Sequence, residues 1–204
     1  MAMTNSPQMR SAIFLDRDGT INEDHGYVFQ PQDLAFEAGA VEGLRHLQDL
    51  GFLLIVVTNQ SGIGRGYYTE EDFSLFMEEM KRRLAASGVY LDAVYFCPHH
   101  PEKAQGKYLQ RCLCRKPEKG MIRQAVADFR NRGIEIDLQH SYVIGDKTAD
   151  GRLGNVAGCQ SILVLCPSGR QGQDQSHGCV WNYKADTLAD AAKWIETQNT
   201  LWEA

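Results

Sequence analysis

Two carboxylates near the N-terminus have a spacing that suits chemistry on a phosphate group. Asp16 and Asp18 directly follow Ala12–Leu15, a short apolar run that predicts a buried strand. Side chains at i and i+2 of an extended segment point the same way, so both should face the space beyond the strand's carboxyl end. Carboxylates so close repel each other unless a cation lies between them. The pattern suits a nucleophile, a general acid and base, and a shared Mg²⁺; a plain polar turn is the alternative.

Three further polar signals follow later apolar stretches of the chain. Thr58-Asn59-Gln60-Ser61 comes directly after the apolar run 52–57, and Gly145-Asp146-Lys147-x-x-Asp150 follows the apolar run 141–144. Arg115-Lys116 lies in the loop between them. Because the carboxyl ends of parallel strands meet at one edge of a sheet, we expect these side chains to lie close to the first two carboxylates.

Phosphoryl transfer to a carboxylate would use each of these signals. An attacking carboxylate and a phosphate repel each other by about 4 kcal/mol per pair of unit charges at ~4 Å near a protein surface. Lys116 would offset part of this repulsion, and the Thr58 hydroxyl with nearby backbone N–H groups would bind the phosphate oxygens. Mg²⁺ held by Asp16, Asp146 and the backbone carbonyl of Asp18 would bridge nucleophile and phosphate.

The elements that must position these groups alternate along the chain. Apolar runs predict strands at 12–15, 52–57, 93–96, 141–144 and 161–165. Apolar residues at helical spacing predict helices at about 40–50, 69–84, 121–129, 148–156 and 187–195. Thr69 and Thr187 are the predicted N-caps of two of them. The alternation predicts an α/β fold, a Rossmann-like, doubly wound parallel sheet in a single domain over residues 1–204. The polar stretch 166–179 is predicted to be a loop.

The interval after the first strand limits how the site can be covered. Only 39 residues stand between Asp18 and Thr58, and a helix and a strand take up much of that length. No cap domain fits there, so we expect a capless enzyme in which short loops shape the site. Arg115 could pair bidentately with a second phosphate on the substrate, although it could equally serve the reacting phosphate.

A second group of residues has the composition of a metal site. Cys97-Pro98-His99-His100-Pro101 is followed by Cys112-Leu113-Cys114. Three thiols and one imidazole would form a closed, tetrahedral Cys₃His site for Zn²⁺ with a structural role. His99 is the preferred ligand because its spacing from Cys97 equals that between the later two cysteines, and His100 is the alternative. Unrelated surface thiols are the competing interpretation.

The position of this zinc site links it to the proposed chemistry. Cys114 directly precedes Arg115 and Lys116, so an ion that orders the loop 97–116 would also position both cationic side chains. A disulfide between Cys112 and Cys114 would be badly strained, which disfavours a redox role. We therefore expect Zn²⁺ to preorganise the phosphate site without joining the reaction.

Charge and composition exclude several classes of function. The formal charge of −5 provides no basic surface for nucleic acid or for a membrane. The longest apolar run, 52–57, is too short to span a bilayer, and no secretory signal is visible before Arg10. Six cysteines without such a signal favour a reducing compartment. We expect a cytoplasmic protein.

The four motifs, in this order, resemble those of the haloacid dehalogenase (HAD) superfamily of aspartate-nucleophile phosphohydrolases. Together with Cys97-Pro98-His99-His100-Pro101 and Asp24-His25-Gly26-Tyr27, the match narrows to the D-glycero-D-manno-heptose-1,7-bisphosphate 7-phosphatase family, which is close to the histidinol-phosphate phosphatases. The resemblance covers roughly residues 11–165. It implies a monomeric cytoplasmic phosphatase that removes the 7-phosphate of a phosphosugar during heptose synthesis for lipopolysaccharide or surface glycans.

The resemblance also implies a role for each matching position. Asp16 is the nucleophile and Asp18 the acid and base. The Mg²⁺ ligands are Asp16, Asp18 and Asp146. The Zn²⁺ ligands are Cys97, His99, Cys112 and Cys114. The substrate-binding residues are Asp24, His25, Gly26, Tyr27, Thr58, Asn59, Gln60, Ser61, Arg115, Lys116 and Lys147. A histidinol-phosphate phosphatase and a non-catalytic, zinc-stabilised interaction protein are the alternatives.

Overall fold

Apolar residues on both faces of short strands produce a sheet that is covered on both sides. The computed structural model of the chain describes residues 8–165 and 178–202. The strands are β1 Gln8–Arg10, β2 Ala12–Leu15, β3 Leu53–Asn59, β4 Ala93–Cys97, β5 Ile134–Ile136, β6 Tyr142–Gly145, β7 Gln160–Val164 and β8 Tyr183–Ala185. The helices are α1 Ala40–Asp49, α2 Ser61–Gly64, α3 Glu70–Ala86, α4 Gly120–Asn131, α5 Thr148–Ala157 and α6 Leu188–Trp202.

The strand order places the first acidic motif at the centre of the molecule. Within the described residues, six strands form one sheet in the order β4-β3-β2-β6-β7-β8, and every neighbouring pair is parallel. A separate two-stranded sheet pairs β1 with β5, also in parallel. The predicted parallel α/β fold is confirmed. Because β2 lies between β3 and β6, the loops that leave these three strands meet above the middle of the sheet.

Alternation along the strands divides the core into two layers. In β2, Ile13 and Leu15 pack into the core that holds α1, α3 and α6. Ala12 and Phe14 point to the other face, into the core formed with α4 and α5. All four side chains are fully buried. Burial on both faces explains why this strand is a continuous apolar run instead of an alternating one.

Helix ends follow the predicted signals. Thr69 caps α3 through a capping box with Asp72, and the Thr187 hydroxyl accepts a hydrogen bond from the backbone N–H of Asp190 at the start of α6. Gly51 follows α1 with φ +87°, a conformation that favours glycine over other residues. None of the helices among the described residues combines the length and apolar character needed to cross a lipid bilayer.

Two regions bear on the predicted architecture. Between β2 and β3 the structure has only loops, a short 3₁₀ turn at Pro31–Asp33 and α1, so no cap domain stands in this interval. Most of the predicted loop 166–179 lies outside the described residues. The strands β1, β5 and β8 were not predicted, because each has only three residues and is partly exposed.

Candidate active site and metal clusters

The predicted polar residues converge at the carboxyl ends of the three central strands. Asp16 directly follows β2, and its backbone N–H donates to the carbonyl of Ile144 in β6. Thr58 and Asn59 are the last residues of β3, and Asp146 directly follows β6. The crevice beyond the carboxyl ends of parallel strands is where open α/β sheets bind ligands.

Lys116 occupies the centre of this site. Its ammonium group lies 2.8 Å from Asp16 Oδ1 and 2.6 Å from Asp150 Oδ1, and all three side chains are buried. Burial alone would lower the pKa of Lys116, but Asp150 and Asp16 outweigh it and raise this pKa. Burial opposes ionisation of Asp16, yet Lys116 and Lys147 together lower the pKa of that carboxyl. Lys116 and Asp16 are therefore held as an ion pair.

Three carboxylates lie close enough to hold one cation. Oxygens of Asp16, Asp146 and Asp150, which we call the carboxylate cluster, lie within 4.8 Å of one another. Asp146 Oδ1 is buried and accepts no hydrogen bond. Burial, together with Asp16 and Asp150, raises the pKa of Asp146 to about 8. Oxygen ligands suit Mg²⁺, and an unpartnered buried carboxylate oxygen fits such an ion.

Lys147 extends over the same oxygens from the start of α5. Its Nζ lies 3.4 Å from Asp146 Oδ2, from Asp24 Oδ2 and from the backbone carbonyl of Asp18. Neighbouring Asp16, Asp146 and Asp24 outweigh the effect of burial and raise the pKa of Lys147. Its ammonium group thus contacts two of the three oxygen sources predicted for Mg²⁺.

Asp18 is held by donors on three sides. Arg17 donates to it through Nε and Nη2 at 2.6–2.9 Å, and Asn22 Nδ2 and Gln60 Nε2 also donate to it, at 3.1 and 2.9 Å. Arg17 is itself fully buried, with its guanidinium 4.5 Å from the ring centroid of Phe76. These contacts hold the carboxylate in one orientation beside the backbone that leaves β2.

The residues at the end of β3 and directly after it act in two ways. Gln60 Nε2 bridges Asp18 and the Thr58 hydroxyl, and Tyr68 donates to Gln60 Oε1 at 2.6 Å. The Asn59 amide makes two hydrogen bonds to the backbone of Lys116, at 3.0 and 3.2 Å. Asn59 therefore holds Lys116 in place, while Thr58 and Gln60 face Asp18. Ser61 begins α2.

The segment Asp24–Tyr27 forms one wall of the site. Asp24 contacts Lys147 and also accepts the backbone N–H of Gly26 at 2.9 Å. Tyr27 has φ +57° and lies edge-on to the Tyr67 ring at 4.6 Å between centroids. His25 is exposed and pairs with Glu23 at 2.9 Å, so it does not point into the carboxylate cluster.

The second predicted metal site also assembles. The ligand atoms of Cys97, His99, Cys112 and Cys114, which we call the thiol cluster, lie within 4.8 Å of one another. Five of their separations lie between 3.2 and 3.7 Å. A tetrahedron with Zn–S bonds of about 2.3 Å has edges of roughly 3.8 Å. The donor set and its spacing fit a closed Zn²⁺ site.

The structure selects between the two candidate histidines. His99 Nδ1 lies 3.3 Å from the Cys114 sulfur. His100 instead accepts the backbone N–H groups of Glu102 and Lys103 through Nδ1, at 3.1 and 3.0 Å. His99 is therefore the histidine that belongs to the cluster, as the spacing indicated.

Two backbone contacts join the thiol cluster to the phosphate side of the site. The Gln60 N–H donates to the carbonyl of Cys97 at 2.8 Å, and Arg115 Nη1 donates to the carbonyl of His99 at 3.1 Å. Because Lys116 follows two residues after Cys114, the order of this loop sets where its ammonium group lies.

Sequence reasoning assigned no role to two side chains that the structure places in the site. Asp150 pairs with Lys116 and accepts the Lys147 N–H at 3.1 Å, and Arg17 holds Asp18. Asp150 was part of the Gly145-Asp146-Lys147 motif, and its position four residues after Asp146 was the available signal. Arg17 had no comparable signal, since an arginine between two aspartates reads as a polar turn.

The fold and this arrangement define a HAD-like hydrolase. A family model described as "HAD-hyrolase-like" matches residues 113–191. The chain is 42% identical over 191 residues to the D-glycero-β-D-manno-heptose-1,7-bisphosphate 7-phosphatase of Pasteurella multocida, covering 92% of this chain and 98% of that protein. It is 46% identical over 155 residues to the corresponding α-anomer enzyme of Burkholderia mallei, covering 76% of this chain and 79% of that one.

A solved structure supports the same assignment. The D,D-heptose 1,7-bisphosphate phosphatase from B. bronchiseptica, complexed with magnesium and phosphate, superposes with a TM-score of 0.78 at 28% identity, covering 92% of this chain and 99% of that chain. The chain therefore belongs to the heptose-bisphosphate phosphatase family of the HAD-like hydrolases. It is a phosphatase, and the predicted resemblance is confirmed.

Proposed function

We propose that the chain hydrolyses the 7-phosphate of D-glycero-D-manno-heptose 1,7-bisphosphate, in heptose synthesis for lipopolysaccharide or surface glycans. The observation that carries the proposal is the buried ammonium group of Lys116, 2.8 Å from Asp16 and 2.6 Å from Asp150. It provides positive charge at the point where a phosphate would meet the nucleophile. The names of the relatives supply the substrate.

Asp16 is the nucleophile in this proposal. Its Oδ1 already accepts hydrogen bonds from Lys116 and from the Arg17 N–H, whereas Oδ2 has no hydrogen-bond partner among the described residues. Oδ2 attacks phosphorus, the bond between phosphorus and the sugar oxygen breaks, and Asp18 donates a proton to that oxygen. Asp18 then takes a proton from water, the water oxygen attacks phosphorus, and phosphate leaves Asp16.

Two cations and a hydroxyl would bind the transferring group. Lys116 and the Thr58 hydroxyl face the phosphate oxygens, and Lys147 approaches from the side of Asp24. Mg²⁺ held by Asp16, Asp146 and the Asp18 carbonyl would supply further positive charge against the repulsion between carboxylate and phosphate. Asn59, Asp150 and Arg17 position these groups without contacting substrate.

We propose that the thiol cluster holds Zn²⁺ and that the ion has a structural role. Cys97 is fully buried, and burial with the hydrogen bond to Cys114 raises the pKa of its thiol, so thiolates here need a bound cation. Three sulfurs and one nitrogen leave no open coordination position.

The five described cysteines form no disulfide, which supports a reducing compartment such as the cytoplasm.

The test is turnover with defined substrates. Purified protein is incubated with Mg²⁺ and either anomer of the heptose 1,7-bisphosphate, and ³¹P NMR identifies which phosphate is released. We expect release of the 7-phosphate, and loss of at least about 10⁴-fold in kcat in the Asp16→Asn variant. Asp49→Asn, at an exposed position at the end of α1, is the matched control. A higher kcat/KM for histidinol phosphate than for both anomers would overturn the proposal.

A further inference from the structure

Three half-buried side chains form a cationic group beside the proposed phosphate site. Arg65 follows α2, and His100 and Arg115 belong to the loop 97–116. We call these three residues the cationic rim. The segments that carry them meet beside His100: Arg115 Nη1 donates to the carbonyl of the preceding residue, His99, at 3.1 Å, and Gly64, directly before Arg65, packs against the Pro98 carbonyl.

The hydrogen bonds of His100 determine which nitrogen can donate. Its Nδ1 accepts the backbone N–H groups of Glu102 and Lys103, at 3.1 and 3.0 Å. An imidazole whose Nδ1 is an acceptor carries its proton on Nε2. The ring therefore keeps an N–H donor at Nε2.

The arginines of the cationic rim lack acidic partners. Among the described residues, neither Arg65 nor Arg115 has a carboxylate oxygen within ion-pair distance, in contrast to Arg17, Arg83 and Arg130. The Nε of Arg65 is buried and donates no hydrogen bond. Buried donors on a charged group are seldom left without an acceptor. An anion supplied from outside the protein would satisfy them.

The backbone under Arg65 is held against the loop 97–116. Gln105 N–H donates to the carbonyl of Gly64 at 2.7 Å. A Cβ atom at position 64 would come within 2.4 Å of the Pro98 carbonyl oxygen, so only glycine permits this approach. Arg65 and Arg115 are thus presented from two segments that pack directly on each other.

Aromatic rings connect the cationic rim to the reacting groups. The guanidinium of Arg65 lies 5.8 Å from the Tyr27 ring centroid, and a Cβ atom at Gly62 would come within 3 Å of both the Tyr27 and Tyr68 rings. Tyr68 in turn donates to Gln60, which contacts Asp18. Arg65 is therefore linked to Asp18 through Tyr27, the Gly62 backbone, Tyr68 and Gln60.

We propose that Arg65 is a specificity-determining residue that, with Arg115 and the Nε2–H of His100, binds the second phosphate of the substrate, the one that is not transferred. The inference rests on the proposed function and extends it to a residue outside the predicted site. Guanidinium groups bind phosphate through charge-assisted hydrogen bonds in a fixed fork. Arg65 would then select bisphosphates over monophosphates.

The experiment compares two substrates in one set of variants. kcat and KM are measured for heptose 1,7-bisphosphate and for heptose 7-phosphate in the wild type, Arg65→Ala, Arg65→Lys and the distant control Arg130→Ala. We expect Arg65→Ala to lower kcat/KM for the bisphosphate by about tenfold to a hundredfold, mainly through KM, because a charge-assisted hydrogen bond is lost. Values for the 7-phosphate should stay within about twofold, and Arg65→Lys should recover part of the loss.

The other outcomes distinguish failure of the inference about Arg65 from failure of the proposed function. Equal losses on both substrates would show that Arg65 only supports Tyr27, and no loss on either would show that it has no role; both results overturn the inference. If the wild type does not hydrolyse the heptose bisphosphate, the proposed function fails. The same variants are then compared on fructose 1,6-bisphosphate and fructose 6-phosphate, where a selective loss on the bisphosphate supports Arg65 and an equal loss refutes it.

Discussion

The carboxylate cluster and the thiol cluster both stand at the carboxyl edge of the sheet, and they differ in what lies between the ligands. In the carboxylate cluster the ammonium groups of Lys116 and Lys147 contact the oxygens directly. In the thiol cluster the sulfur and nitrogen atoms face one another, and no cationic side chain of residues 8–165 or 178–202 forms an ion pair or hydrogen bond with them.

This difference indicates two relationships between metal and fold. Because the protein's own lysines balance the carboxylates, the proposed Mg²⁺ would not be needed to hold the carboxylate cluster together. The thiol cluster has no such balance, so its ion should be part of the folded structure. The two clusters are coupled, since the loop that carries the thiols also carries Lys116.

Removal of one thiol tests this comparison with the largest expected effect. We expect Cys112→Ser to lose its zinc, to fall in Tm by roughly 10 °C and to lose most of its kcat, because the loop that presents Lys116 no longer has its ion. Elemental analysis, thermal unfolding and turnover are measured on the same preparations. Cys179→Ser, outside the cluster, is the control. Unchanged zinc content, Tm and kcat in Cys112→Ser would refute the structural role.

Replacement of Lys116 should disturb the carboxylate cluster and leave the thiol cluster intact. In Lys116→Met, Asp16 and Asp150 stay buried without their shared partner, which costs about 3–5 kcal/mol of unfolding free energy, and kcat should fall at least a hundredfold. Zinc content should remain that of the wild type. Lys81→Met, at an exposed position on α3, is the matched control. We argue that the thiol cluster positions Lys116 and does not depend on it. Loss of zinc in Lys116→Met would contradict this.

The next prediction concerns whether Asp150 is a Mg²⁺ ligand or a residue that positions Lys116. Its oxygens are engaged by Lys116 and by the Lys147 N–H, so we expect Asp150→Asn to lower kcat by about tenfold while Mg²⁺ affinity changes less than about threefold. Calorimetric titration with Mg²⁺ and steady-state kinetics check the two halves of this expectation. A loss of Mg²⁺ binding equal to that of Asp146→Asn would instead make Asp150 a ligand.

The smallest expected effect is the pH dependence of Mg²⁺ binding, in which Asp146 releases a proton. Burial, with Asp16 and Asp150 nearby, raises the pKa of Asp146 to about 8, so at pH 7 this carboxyl is mostly protonated and must lose its proton to bind a cation. Mg²⁺ affinity should therefore rise by up to about tenfold per pH unit until pH reaches about 8, with nearly one proton released at pH 7. Calorimetry in two buffers of different ionisation enthalpy measures the release. Affinity that does not change between pH 6 and pH 8 would contradict this account.

Short-range patterns were sufficient for most of the fold and for the chemistry-bearing motifs. Continuous apolar runs identified β2, β3, β4, β6 and β7, because the strands of a parallel sheet are covered on both faces and are therefore apolar along their length. The strands β1, β5 and β8 have no such run: each has three residues, and β1 gains its partner only from β5, more than a hundred residues away. Their pairing depends on chain packing, which local propensity does not describe.

The site residues show the same contrast: their location followed from local sequence patterns, whereas some of their contacts did not. Asp16, Thr58, Lys116 and Asp146 converge as expected because each follows a parallel strand or the loop that leaves it. Asn59 was predicted to line the substrate site, and the structure shows its amide bound to the Lys116 backbone. Which neighbour an amide contacts depends on distances between loops.

The sequence by itself determined which reactive groups the molecule has, their order, and the parallel sheet that gathers them, since spacing within an element sets which face a side chain occupies. Only the tertiary structure decided the partners: Lys116 lies between Asp16 and Asp150, Arg17 holds Asp18, and His99 joins the thiols while His100 accepts backbone N–H groups of its own loop. Those contacts join separate segments of the chain, and their distances arise from how the loops pack above the strands.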